Sequence, residues 1–215
     1  MRESDGPSWL ILESFAELTR WAEASCLFLL LDLETNLSTL LKFAFGIDWL
    51  NDRLSRLATW TVLLAALISA GNAFVRYGLD WSSNSLLEIQ WYLFAYMVMI
   101  GAPYVLKVNE HVRVDLVYGK LTGNRPVYVD IFGLVCFLMP VMGFLAWISF
   151  PYFWNTFVSG EVSSNAGGLI RWPVTLAMPL GFAMVWLQGL AELIKRVAFL
   201  KGEYAMDTHY EKPLQ

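Results

Sequence analysis

Four stretches carry no Asp, Glu, Lys, Arg or His: Leu57 to Val75, Ile89 to Leu106, Ile131 to Gly160 and Trp172 to Ala191. Each reaches the roughly 20 residues needed to cross a bilayer core, where a helix satisfies its own backbone polar groups. They predict an all-α integral membrane protein with four transmembrane helices. The composition agrees, because 57% hydrophobic and 16% charged residues, with a positive mean hydropathy, do not suit a soluble domain of 215 residues. The opening MRESDGPSW has no basic run leading into an apolar core, so it does not resemble a cleavable signal peptide, and the first span is expected to direct insertion. Cys26 precedes the first span and Cys136 lies in the third, with no metal-ligand spacing between them; both read as packing residues.

Lys and Arg near the span ends predict the orientation. Lys42, Arg53 and Arg56 precede the first span, Lys107, Arg113, Lys120 and Arg125 lie between the second and third, and Lys195, Arg196 and Lys201 follow the fourth. The loops Arg76 to Glu88 and Pro151 to Arg171 hold one basic residue each. The basic side is therefore expected in the cytoplasm, with both termini, and the protein in a bacterial cytoplasmic (inner) membrane. Trp81, Trp91, Trp147, Trp154 and Trp172 cluster near the outer boundary, as an aromatic belt would. The net charge of −4 says little about partners, since sidedness matters more than the sum.

Three regions follow: an N-terminal amphipathic, interfacial helical region over 1–54, a four-helix transmembrane domain over 55–197, and a cytoplasmic tail over 198–215. In the first, Ile11, Phe15, Leu18, Ala22, Cys26 and Leu29 recur at steps of four and three, opposite Glu13, Glu17 and Arg20. Such a stripe suits the membrane interface or a partner better than a soluble helix packed on the chain's own loops. Leu37, Leu40, Leu41, Phe43 and Phe45 suggest a second apolar patch closed by Gly46, and Asn51 is placed as N-cap of the first spanning helix.

The spans themselves are poor in chemistry. Polar groups at membrane depth are costly and mark pathways or sites, yet only Asn72, Gln90, Gln188 and a few hydroxyls occur there. No proton relay or ion cage is evident. A haem-binding anchor for a redox enzyme would need mid-span histidines, but His111 falls in a loop and His209 in the tail. A self-sufficient small transporter would need polar groups at the midplane and matched helix interruptions, neither of which is evident. Both readings stay open as alternatives to a scaffold that is not an enzyme and has no cofactor, no metal site and no nucleic-acid partner.

The remaining polar residues have plain readings beside functional ones. Ser85 and Glu88 fit a capping box at the start of the second span, or Glu88 meets a partner. Arg76 ends the first span, where an arginine snorkels to the interface. Pro126 and Pro173 suit first helical turns, whereas Pro103, Pro140 and Pro179 are expected to kink spans. Glu192 with Lys195 and Arg196 reads as an ordinary pairing three and four residues apart at a helix end.

The segment NEHVRVDLVY, from Asn109 to Tyr118, sets His111, Arg113 and Asp115 at alternate positions between two apolar runs. Topology explains its positive charge, and the alternation suits a surface segment with one side buried. EHVRVD, the preceding FVRYGLDWSSNSLLEIQWYLFAYMVMIGAPYVLKVN and the later RWPVTLAMPLGFAMVWLQ resemble the small, DctQ-type membrane subunit of tripartite ATP-independent periplasmic (TRAP) transporters. The resemblance covers roughly Leu57 to Val197; EHVRVD is its most specific part, with Arg76-Tyr77 and Pro179 to Gly181 in support. It implies a periplasmic solute-binding protein that delivers an organic anion, usually a carboxylate, to a large multi-span subunit, which moves it with sodium while the small subunit holds that large one in the membrane. Glu110, His111, Arg113 and Asp115 match the family's motif. They are expected to brace the cytoplasmic loop or the subunit boundary, or to form an internal loop-to-helix hydrogen-bond set.

Overall fold

A computed structural model describes residues 37–80, 83–109, 123–165 and 167–206. The stripe of Ile11, Phe15, Leu18 and Ala22 and the motif residues Glu110, His111, Arg113 and Asp115 lie outside the described residues. Of the unit Met1–Leu40, the first residues of one helix are described; everything below concerns the unit Leu41–Gln215.

Four helices alternate in direction: α1 (Leu37–Leu79), α2 (Asn84–Val108), α3 (Arg125–Ser159) and α4 (Trp172–Leu200). All four are long and apolar enough to cross a membrane, as the uncharged stretches predict. The turns after α1 and α3 share one end of the bundle, here the hairpin end; the opposite end carries Lys107, Arg125, Lys195 and Arg196 and is called the basic end.

α1 corrects two expectations. It runs unbroken through Gly46, Asn51 and residue 54, so Gly46 closes no patch and Asn51 is not an N-cap. Ala44, Ile47, Asp48, Asn51 and Ala58 fall on one helical face and are buried. A mid-helix glycine costs about 1 kcal/mol against alanine, and the helix nonetheless continues through Gly46. Farther along, Leu57, Trp60, Leu67 and Phe74 are exposed, as suits a helix facing apolar surroundings.

The first-turn prolines stand where expected, Pro126 opening α3 and Pro173 opening α4. Helices α2 and α4 stay helical through Pro103 and Pro179. At Pro140 the helix does change: Leu134–Leu138 form a π-helical turn, with the Met139 N–H donating to the Leu134 carbonyl. Proline lacks an N–H and its ring crowds the carbonyl four residues back, here that of Cys136, so a widened turn just before it relieves both problems. α3 then ends at Gly160, whose φ of 61° puts it in the left-handed region that glycine tolerates.

α4 is the core helix, packed along α2 and α3. Ala177, Met184, Ala191, Ile194 and Val197 are buried along it. Two glycines set these approaches. A Cβ on Gly181 would lie 2.6 Å from the Met99 Cβ of α2, and one on Gly189 would lie 2.6 Å from the Leu138 Cδ2 of the π turn. Without a hydrophobic drive between helices in lipid, such close approach supplies the van der Waals packing that joins them.

Candidate functional site: polar clamps at the two ends of the bundle

At the basic end, one turn of α4 after another presents Gln188, Glu192, Lys195 and Arg196, all buried. Spacings of four, three and one keep them on adjoining faces. Lys195 Nζ lies 3.1 Å from Asp48 Oδ2 of α1 and also pairs with Glu192. Arg196 donates from Nε to Asp130 Oδ2 of α3 at 3.1 Å and from a terminal nitrogen to Glu192 Oε2 at 2.5 Å. Gln188 bridges the set. It accepts from Asn51 Nδ2 at 2.6 Å and donates to Asp48 Oδ1 at 2.8 Å and Glu192 Oε1 at 3.1 Å. Beside this group, Lys107 of α2 reaches Asp52 Oδ1 of α1 at 2.6 Å. Ion pairs therefore join all four helices at this end.

Electrostatics explain why these residues occur together. An isolated buried charge costs several kcal/mol in desolvation, repaid only by good geometry and extra hydrogen bonds. Here Glu192 serves two cations and Gln188, while Asp48 serves Lys195 and Gln188. Such mutual pairing offsets the desolvation of these buried charges. Asn51 Oδ1 is buried with no protein partner among the described residues. No group of His, Cys, Asp and Glu among the described residues could hold a metal ion.

The hairpin end holds a second clamp. The segments 160–165 and 167–171 run back on each other, with Val162 bridged antiparallel to Ile170, Ser163 N–H donating to the Leu169 carbonyl at 2.9 Å, and Arg171 N–H to the Glu161 carbonyl at 2.9 Å. Gly167, at φ 73°, makes the reversal. Glu88 of α2 grips this hairpin: its carboxylate accepts from the Ser163 hydroxyl, from Asn165 Nδ2 at 2.7 Å and from the Leu169 N–H at 2.7 Å. The Ser85 hydroxyl donates to the Gly167 carbonyl, and Tyr92 and Tyr96 hydroxyls donate to the carbonyls of Ile170 and Pro173 at 3.2 and 2.6 Å. Glu161 and Arg171 pair across the hairpin's neck.

The expected capping box is not formed. α2 starts at Asn84, its N-cap is Ser83 with no side-chain cap bond, and Ser85 and Glu88 both turn to the hairpin. Arg76 is exposed in the last turn of α1. Glu192 does pair with Lys195 and Arg196 along α4, but these are buried and reach α1 and α3, a role that sequence reading missed. The signal was present: Gln188, Glu192 and Arg196 recur every four residues across the end of an apolar span, and Asp48 with Asn51 shares a face with Ala44 and Ala58.

Four alternating spans clamped at both ends define a small multi-pass helical membrane protein, and residues 65–199 match the family described as "Tripartite ATP-independent periplasmic transporters, DctQ component". The chain belongs to that family, which is a transporter component. It is 28% identical over 122 residues to the "C4-dicarboxylate TRAP transporter small permease protein DctQ" of Pseudomonas aeruginosa, an alignment covering 55% of each chain. It is 26% identical over 160 residues to a "Putative TRAP transporter small permease protein" of Haemophilus influenzae, covering 72% of this chain and 94% of that one. The first alignment thus spans about half of the relative's length. No solved structure matches the chain.

Proposed function

We propose that this chain is the scaffold subunit of a sodium-coupled TRAP transporter, holding the large multi-span permease subunit in the bacterial cytoplasmic membrane. A periplasmic solute-binding protein delivers an organic anion, a carboxylate, to that large subunit. The observation that carries this reading is the saturation of the charged cluster: Asp48, Glu192, Lys195 and Arg196 bond one another and Gln188, at one end of the bundle and away from its middle. Charges already bonded to one another across three helices support a structural role for this group. In the proposed topology the basic end and both termini are cytoplasmic. Glu110, His111, Arg113 and Asp115 then brace the cytoplasmic loop or the subunit boundary. Arg76, exposed at the far end of α1, and Glu88, through the hairpin it holds, shape the opposite face toward the partners. The stripe Ile11, Phe15, Leu18 and Ala22 lies against the large subunit, which covers an apolar surface that would otherwise be exposed.

Reconstituted transport by the whole complex tests the scaffold role. Asn72→Leu with Gln90→Leu leaves the sodium-to-solute stoichiometry unchanged, whereas Phe15→Glu with Leu18→Glu lowers the amount of large subunit that co-purifies. A changed stoichiometry in an intact complex would make the chain part of the ion pathway and end the scaffold reading.

A further inference from the structure

The face of α1 opposite the buried cluster carries a pattern that the clamps do not use. Trp49, Arg53, Arg56 and Trp60 follow one another at steps of four, three and four. At 3.6 residues per turn these positions fall within an arc of about 60°. All four are exposed, Trp49 by 60% and Trp60 by 67%. The Arg53 guanidinium stacks over the Trp49 ring, 5.2 Å from its centroid. Arg56 donates from Nε to the Asp52 carbonyl at 3.1 Å, which anchors its stem while the side chain stays exposed.

Charge pairing separates these two arginines from the clamp cations. Lys107, Lys195 and Arg196 each meet a carboxylate, and Lys107 takes up Asp52, the acid nearest in sequence to the stripe. Among the described residues no carboxylate pairs with Arg53 or Arg56. Depth adds a second constraint. The uncharged run 57–75 begins directly after Arg56 and spans about 28 Å at roughly 1.5 Å per residue, close to the hydrocarbon thickness of about 30 Å. Arg56 therefore stands at the edge of the hydrocarbon and Arg53 about one turn outside it, with Trp60 one turn inside. That is the depth of lipid phosphates, and indole rings favour the boundary just beneath.

We propose that Trp49, Arg53, Arg56 and Trp60 form a binding site for the headgroup of an anionic phospholipid. The guanidinium forks match two oxygens of a phosphate, Trp49 holds one fork in place, and Trp60 lies along the upper acyl chain. The site needs neither the scaffold reading nor the proposed orientation, since it follows from charge, depth and exposure alone.

Native mass spectrometry of the detergent-purified full chain, titrated with phosphatidylglycerol and with phosphatidylcholine, tests it. Wild type prefers phosphatidylglycerol. Arg53→Gln with Arg56→Gln weakens that binding by roughly 20- to 30-fold, about fivefold per cation lost beside an anionic lipid, while Arg125→Gln at the same end changes it less than twofold. Unchanged phosphatidylglycerol binding in the double variant would overturn the proposal. So would equal binding by Arg53→Lys with Arg56→Lys, which points to general surface charge. A photo-crosslinker at Trp60 in the assembled complex gives an arm independent of variant folding: a lipid adduct supports the site, and an adduct with the large subunit assigns the face to protein and refutes it.

Discussion

Gln188 is fully buried and makes three side-chain bonds, to Asn51, Asp48 and Glu192. Gln188→Leu preserves most of its volume but leaves the Asn51 amide and one side of Asp48 without partners. A loss of about 1–3 kcal/mol follows from stranding such groups. Lys195→Met is expected to be worse, about 3–5 kcal/mol, because Asp48 and Glu192 would remain buried with less compensation. Thermal unfolding of the purified chain in detergent measures both, and the order Lys195→Met below Gln188→Leu below wild type is the outcome expected. The exposed pair Glu161–Arg171 behaves differently, since solvent and salt screen it; its removal should scarcely move the midpoint.

Between helices, close approach and loop gripping do separate jobs. Gly181 brings α2 against α4, where a Cβ would meet the Met99 side chain at 2.6 Å and its carbonyl oxygen at 2.9 Å. Neither backbone can yield cheaply, so Gly181→Leu should separate the two helices, with the roughly 1–3 kcal/mol typical of overpacking. An engineered disulfide between facing positions of α2 and α4, formed in wild type and lost in Gly181→Leu, reads that separation. Glu88 works on the connection instead. Glu88→Ala removes the acceptor for Ser163, Asn165 and the Leu169 N–H, so the 160–171 hairpin should become protease-sensitive while the bundle stays folded. Glu88→Gln keeps one acceptor oxygen and should fall between the two.

For the whole molecule, the two clamps stand at opposite ends of four alternating spans, and the proposed orientation puts the hairpin outside. A cysteine at Ser164, exposed in the hairpin, should react with a membrane-impermeant maleimide added to intact spheroplasts. Labelling that requires lysis would reverse the topology. α1 is held in this arrangement largely by polar bonds at the basic end, because its farther half leaves Leu63, Leu67 and Phe74 exposed. Weakening the clamp should therefore free α1 before it disturbs the α2–α3–α4 core.

Span number and helical class were legible in the sequence, because an uncharged run of sufficient length has few other solutions in a bilayer. The first-turn prolines Pro126 and Pro173 were legible for the same local reason, a fixed φ and a missing donor. The EHVRVD motif and its neighbours also carried the family in the sequence itself. What sequence could not supply was partnership across helices. Glu192, Lys195 and Arg196 satisfy a local pairing rule equally well on a solvated helix end, and nothing in their spacing reveals Asp48 or Asp130, more than sixty positions away. Ser85 and Glu88 likewise fit a cap by spacing alone, yet the hairpin offers the carboxylate three donors. Asn51 read as a helix start and became a buried strut within one. In each case a side chain's local options were nearly equal in energy, and the position of a distant helix or loop decided among them, which is information held by the tertiary structure.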